Sequence, residues 1–157
     1  MSIDLSVLLR DGLILDVSSF DTRKDALTTL SDALAEKCGL DTQSVFEAVI
    51  ERENLGSTGV GEGVAIPHAR LKGVEKPVGA FLRLSEGVNF DAIDGKPCDL
   101  IFMLLAPIGS GADHLRALAQ VSRAFRDANL REKVRKADHT DAIRAILCPD
   151  VLSKTAA

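Results

Sequence analysis

The sequence predicts a single domain of the α/β (α+β) class, with a mixed β-sheet flanked by helices on both faces. Three observations lead there. The chain of 157 residues is long enough to bury one real core and short for two. Apolar residues recur at helical spacing in several stretches, whereas Asp99 to Ala106 is a continuous apolar run of the kind a central strand needs when both its faces are covered. Helical and strand-like segments also interleave along the chain, which favours a sheet with helices packed on it.

Taken in order, Leu5, Leu8 and Leu9 after Ser2 predict a short opening helix over residues 2–9, and Leu13 to Val17 after Gly12 a first strand. Asp21 is the expected N-cap of a helix from Thr22 to Lys37, whose Ala26, Leu27, Leu30, Ala33 and Leu34 form one apolar face and whose stop is Gly39. Asp41 opens the next helix, with Val45, Phe46, Val49 and Ile50 inward and Glu47, Glu51 and Glu53 outward. That helix runs out at Glu51-Arg52-Glu53-Asn54, at the base of a glycine-rich stretch from Thr58 to Arg70. Gly59, Gly61 and Gly63 leave the backbone there free to take left-handed conformations. Val64-Ala65-Ile66 then forms a short buried strand stopped by Pro67, which has no N–H for a ladder, and His68 is placed at the strand's edge.

Pro77 to Leu84 alternates as a strand, and Phe90 to Pro97 is a turn-rich connection, tightest at Asp94-Gly95, that leads to the apolar run. A second glycine-containing loop, Pro107 to Gly111, precedes a helix capped by Ser110 or Asp113, with Leu115, Leu118, Ala119, Ser122 and Phe125 as its inward face. His114 falls in its first turn. Leu130 to Lys136 and Thr140 to Leu147 predict two short helices, the second capped by Thr140 with His139 on the surface, and residues 150–157 a frayed tail.

Composition narrows the function classes. A formal charge of −4, with no basic run or stripe apparent, argues against nucleic acid, and six Phe with no Trp or Tyr leave few rings for stacking bases or sugars. Leu100 to Ala106 is far short of a membrane span of about 20 residues, so the chain is not membrane-embedded. The N-terminus lacks a secretory pattern, which makes the cytoplasm the expected compartment. Cys38, Cys98 and Cys148 are scattered, with no C-x-x-C pair, so neither a disulfide framework nor a cysteine zinc site is indicated.

The chemistry concentrates on two histidines at the ends of structural elements. If the loops before His68 and His114 meet, the site holds two imidazoles that are partly neutral near pH 7, backbone N–H groups, the positive end of a helix and Arg52. That set suits a phosphoryl group, with a neutral imidazole as nucleophile and Arg52, Ser57 and Thr58 as the residue types that stabilise its oxygens. No Walker loop, kinase signature or acidic metal cluster is present, and no cofactor or metal is expected. Two other readings stay open on spacing alone. One is a metal site of His68 and His114 with Asp113 or Glu62, although closely spaced ligands such as H-x-x-x-H are missing. The other is a binding module whose histidines only finish loops, with Arg52 a solvated ion pair.

The stretch Arg52-Glu53-x-x-x-Ser57-Thr58-Gly59-x-Gly61-x-Gly63-x-Ala65-Ile66-Pro67-His68 resembles the enzyme IIA domains of the fructose and mannitol class of the bacterial phosphoenolpyruvate-dependent phosphotransferase system. The resemblance continues through Phe90-Asp91-Ala92-Ile93-Asp94, Pro97, Asp99-Leu100 and Leu104-Leu105-Ala106-Pro107 to His114-Leu115, and covers about residues 3–147 of a single domain spanning 1–157. It implies that His68 is the phosphoacceptor, charged by phosphohistidine on the carrier HPr or a paralogue. It also implies that His114 and Arg52 flank the phosphoryl group and that Ser57 and Thr58 lie close to it. In sugar-transporting relatives the group passes to a cysteine of enzyme IIB. The 157 residues are expected to hold no enzyme IIB or membrane enzyme IIC segment. The pattern Ser6-Val7-Leu8-Leu9-Arg10-Asp11-Gly12-Leu13-Ile14-Leu15-Asp16-Val17 and the stretch Phe90-Asp91-Ala92-Ile93-Asp94 are together most similar to the nitrogen-regulatory branch, whose phosphorylation state controls partner proteins. One departure is Ser110-Gly111-Ala112, small residues where relatives often carry polar ones.

Overall fold

A computed structural model describes residues 4–109 and 111–149. The apolar run becomes the centre of the molecule. Strand β6 (Cys98–Pro107) pairs antiparallel with β5 (Val78–Val88) on one side and parallel with β3 (Val64–Ala65) and β4 (His68–Leu71) on the other. Strand β1 (Leu13–Val17) adds parallel to β5, and β2 (Gly59–Gly61) adds antiparallel to β3, which gives the order β1-β5-β6-β3-β2 with β4 also on β6.

Alternation along β6 explains why its sequence is apolar throughout. Ile101, Met103 and Leu105 join one core with Leu27, Leu30 and Leu34 of α2 (Arg23–Cys38) and Val45 and Val49 of α3 (Thr42–Leu55). Leu100, Phe102 and Leu104 join a second core beneath α1 (Ser6–Leu9), α4 (Gly111–Arg126), α5 (Ala128–Lys136) and α6 (Thr140–Leu147). The sheet is thus mixed and covered by helices on both faces, as the sequence predicts.

The helix ends follow local chemistry, with two corrections. Thr22, not Asp21, caps α2, because its hydroxyl accepts from the Asp25 N–H at 3.2 Å, and Gly39 closes that helix at φ 70°. Asp41 caps α3 as expected. His139, not Thr140, caps α6: its Nδ1 accepts from the Ala142 N–H at 3.3 Å, so Thr140 is the first helical residue. The first part of the expected opening helix, the Ser110 cap and the tail lie outside the described residues.

Three expectations about faces and edges are corrected. The chain does not leave the sheet at Pro67. Proline withholds a donor but keeps its carbonyl, which accepts from the Leu104 N–H at 2.9 Å, and the strand resumes as β4 at His68. The inward face of α4 is His114, Ala117, Val121, Ala124 and Phe125, so Leu115 points out and is 67% exposed. That face is built largely from alanines and a histidine, so Leu115 dominates the apolar signal without belonging to it. Glu53 is not outward; it is 4% exposed.

Candidate active site

The site is assembled from the end of α3, the start of β4 and the first turn of α4. Capping by Asp41, which also accepts from the Ser44 N–H and hydroxyl, starts α3 so that its last turn delivers Arg52 and Glu53 on neighbouring faces. Arg52 is half-buried and donates from Nη1 to the Gly56 carbonyl at 2.9 Å. Glu53 turns inward, where its carboxylate accepts from the Thr58 N–H at 3.0 Å, from the Thr58 hydroxyl at 2.5 Å and from Arg23 Nη1 at 3.4 Å. Ser57 donates its hydroxyl to the Phe90 carbonyl and accepts from the Gly59 N–H. Arg23 Nη1 reaches the same Phe90 carbonyl at 3.0 Å.

Beyond this knot the β2–β3 hairpin turns through three residues of positive φ, Gly61, Glu62 and Gly63. Gly63 has a second reason to be glycine. A Cβ there would lie 2.4 Å from Arg135 Nη2 and 2.6 Å from Asp99 Oδ1, inside an ion pair that ties α5 to β6.

His68 opens β4, half-buried and in register with Leu104. Its Nδ1 lies 2.8 Å from the Ile66 carbonyl. A carbonyl can only accept, so Nδ1 carries the proton and Nε2 keeps its lone pair. The His114 ring stands 5.5 Å away, centroid to centroid, tilted by 48°. His114 is 8% exposed, and its Nδ1 is buried with no hydrogen-bond partner among the described residues. Both rings resist protonation. Burial pushes the His68 pKa below the ordinary 6.5, the Ile66 hydrogen bond opposes this, and Arg52 lowers it further. Burial also lowers His114, followed by His68 and Arg70.

A cavity of about 390 Å³ opens over these groups, lined by His68, His114, Arg52, Arg70, Glu51 and Leu55 with Ala48 and Ala69. It lies at the small end of the roughly 300–1,000 Å³ typical of ligand sites. The structure therefore brings together three of the five sequence-predicted residues, His68, His114 and Arg52. Ser57 and Thr58 do not line the cavity, and their hydroxyls are spent on Phe90 and Glu53. Among the described residues no group of three or more His, Cys, Asp and Glu side chains is placed to hold a metal ion.

Sequence reasoning missed Arg70 and Glu53. Arg70 is two residues beyond His68 in the same strand, so both project to one face. That signal was readable only with His68 inside a strand rather than past its end. Nothing in the helical spacing separates Glu53 from the solvated Glu47 and Glu51; its burial follows from the Thr58 and Arg23 donors that converge on it.

His68, His114 and two guanidinium groups thus stand at one cavity. Residues 7–148 match the family model described as phosphoenolpyruvate-dependent sugar phosphotransferase system, EIIA 2. The chain belongs to this enzyme IIA family. A nitrogen regulatory protein of Bradyrhizobium diazoefficiens is 45% identical to this enzyme IIA over 140 residues, covering 89% of this chain and 92% of that protein. A fructose-specific EIIA component of Haloferax volcanii is 39% identical over 127 residues, covering 80% and 82%. Among solved structures, the nitrogen regulatory protein IIA-Ntr of Neisseria meningitidis superposes with a TM-score of 0.80 at 39% identity, over 87% of this chain and 93% of that one. This enzyme IIA is a phosphotransferase-system component, and no helix among its described residues is long and apolar enough to cross a membrane.

Proposed function

We propose that His68 is the phosphoacceptor of a phosphohistidine relay, charged through Nε2 by an HPr-type carrier. The observation that carries this is the Ile66 carbonyl on Nδ1, which commits the proton to that nitrogen and leaves Nε2 as the nucleophile. In the transfer the Nε2 lone pair forms the new N–P bond while the donor's P–N bond breaks and its electron pair returns to the donor imidazole. His68 keeps its Nδ1 proton, and the positive charge that develops on the ring is stabilised by the Ile66 carbonyl. Burial lowers the pKa of both rings and so favours the neutral form, the one that attacks without prior deprotonation.

Arg52 and Arg70 supply cations for the phosphoryl oxygens, and His114 supplies a donor. An unpaired lone pair costs less in a buried place than an unpaired N–H, which assigns the His114 proton to Nε2 and aims it at the group. Ser57 and Thr58 act through the loop: their bonds to Phe90 and Glu53 set the path that leads to His68.

The likeness to nitrogen regulatory proteins supports a regulatory role, in which the phosphorylation state of His68 selects partner proteins in the cytoplasm. A charge of about −2 at the cavity mouth, beside Leu55 at 82% exposure, weakens apolar contacts and favours basic ones. The fructose-specific relative favours a second reading, in which phosphate passes to a cysteine of enzyme IIB. Incubation with phosphorylated carrier tests the acceptor: wild type gains an acid-labile, alkali-stable phosphate and His68→Ala gains none. Equal labelling of His68→Ala refutes it. Transfer onward to an enzyme IIB cysteine, against state-dependent capture of other proteins, separates the two roles.

A further inference from the structure

Glu53 sits in the knot behind the cavity, and its hydrogen bonds lead to the reacting ring. Its carboxylate accepts from the Thr58 N–H at 3.0 Å, the Thr58 carbonyl accepts from the Ile66 N–H at 3.0 Å, and the Ile66 carbonyl lies 2.8 Å from His68 Nδ1. Every donor in this series points toward the carboxylate. Glu53, Thr58 and Ile66 are only 4–5% exposed, so water screens little of the path and the bonds polarise one another.

Both carboxylate oxygens are acceptors: Oε1 takes the Thr58 hydroxyl, and Oε2 also takes Arg23 Nη1. Arg23 offsets this anion only in part, because its side chain is 32% exposed and is shared with Asp91 at 3.4 Å. Glu53 is also the one buried carboxylate among the described residues. The other charged or titratable groups at the His68 cavity are Arg52 and the exposed Glu51 of α3, Arg70 of its own strand and His114 of α4.

The relay reading gives the arrangement a task. A ring that keeps its Nδ1 proton and bonds phosphorus through Nε2 becomes a cation. When its N–P bond breaks, the leaving group is a neutral imidazole. A ring that has lost the Nδ1 proton must instead leave as an imidazolate, a far poorer leaving group. The Nδ1 proton therefore decides whether the phosphoryl group is ready to move on. An acceptor carbonyl on Nδ1 favours the protonated ring, and a buried anion behind that carbonyl favours it again. The free ring already feels these groups: burial lowers its pKa, the Ile66 hydrogen bond raises it, Arg52 lowers it and Glu53 raises it.

We propose that Glu53 is a positioning residue for phosphoryl release: through Thr58 and Ile66 it holds the Nδ1 proton on phosphorylated His68 and so keeps the N–P bond labile. The proposal rests on the relay reading of His68. In the release step the acceptor's nucleophile bonds phosphorus, the N–P electron pair returns to Nε2, and Nδ1 keeps its proton, which regenerates the neutral ring.

In the experiment the protein is labelled by the phosphorylated HPr-type carrier, or by phosphoramidate as a small donor, and the donor is then removed. Phosphorus NMR against pH reads the titration of the phosphorylated ring, and the rate of phosphate loss against pH reads its lability. Glu53→Gln keeps the size and removes the charge. It should move both profiles to lower pH by about 0.5 or more, so that on their alkaline side phosphate is lost about threefold more slowly. Arg23→Gln removes the partial counter-charge and should move both profiles to higher pH. Glu53→Asp keeps the charge and should stay near wild type. All three variants should melt lower than wild type, so opposite shifts separate charge from loosened packing. If Glu53→Gln does not fold, the direction of the Arg23→Gln shift decides. Profiles equal to wild type in both Gln variants, or shifts of one sign in both, would overturn the positioning role. Wild type that takes no phosphate on His68 from either donor would remove the relay reading itself, and this role with it.

Discussion

Replacing Glu53 by alanine should destabilise the domain more than any substitution on the outward faces of α3. The carboxylate is 4% exposed and accepts from both polar groups of Thr58, itself 4% exposed, and from Arg23. Alanine leaves the Thr58 N–H and hydroxyl buried without their acceptor, at roughly 1–3 kcal/mol each. Arg23 loses less. Its side chain is 32% exposed and keeps the Phe90 carbonyl at 3.0 Å, so its share is below about 1 kcal/mol. The sum, about 2–7 kcal/mol, brackets the ~3–5 kcal/mol that breaking one side of a buried ion pair usually costs, and that narrower range sets the expected loss. For a chain of this size each kcal/mol moves the melting temperature by about 2–4 °C, so Glu53→Ala should melt roughly 6–20 °C lower. Glu53→Gln keeps one carbonyl oxygen for Thr58 but turns an amide N–H₂ toward a donor, and should fall between. Thermal unfolding followed by circular dichroism reads this directly. A Glu53→Ala protein melting within about 2 °C of wild type would refute the reasoning, because the two Thr58 donors would then have found other acceptors at little cost.

The lowered pKa values of His68 and His114 set a pH dependence. Below the ordinary 6.5 the unfolded chain takes up protons that the folded chain refuses, so stability is full above that value and falls as pH drops beneath it; urea melts from pH 8 to 5 should show the slope, reduced in His68→Gln. Phosphoryl acceptance from phosphoramidate should hold its rate from pH 8 to 6.5 and decline only below, and a decline already complete at 6.5 would contradict a neutral-biased His68. Arg70→Ala should slow acceptance by about tenfold with stability unchanged, since its side chain is exposed and makes no bond among the described residues; a changed melting temperature with an unchanged rate would reverse that assignment. Gly63→Ala should destabilise by about 2–4 kcal/mol, from a positive φ and from displacement of the Arg135–Asp99 pair, as read by denaturant midpoint.

The central strand and the long helices were legible because their signals are local and redundant. The β6 run is apolar because both faces are covered, and α2 and α3 carry apolar spacing together with a glycine stop or an aspartate cap. His68, His114 and Arg52 were legible as ends of elements that converge. What escaped the sequence depends on pairing partners far along the chain. Strands β2 and β4, three and four residues long, exist because β6 and β3 offer them edges, and their own residues state no preference. Leu115 was assigned to the core because it is the largest apolar side chain near the start of α4, whereas alanines and His114 fill the narrow space against the sheet. Thr22 outcompeted Asp21, and His139 outcompeted Thr140, by one residue each, a difference that cap chemistry alone does not resolve.

The break at Pro67 has a consequence for how the site behaves in time. The residues before it are laddered to Leu100 and Ile101 and those after it to Leu104 through Pro107, so His68 is fastened on both sides to one buried strand. A histidine held in this way has no hinge on which to swing. Amide protons of Ala69 and Leu105 should exchange with solvent only on the rare occasions when the sheet itself opens. On the proposed relay, the phosphoryl group is parked at a fixed address, and the travelling is left to the proteins that bring it and take it away.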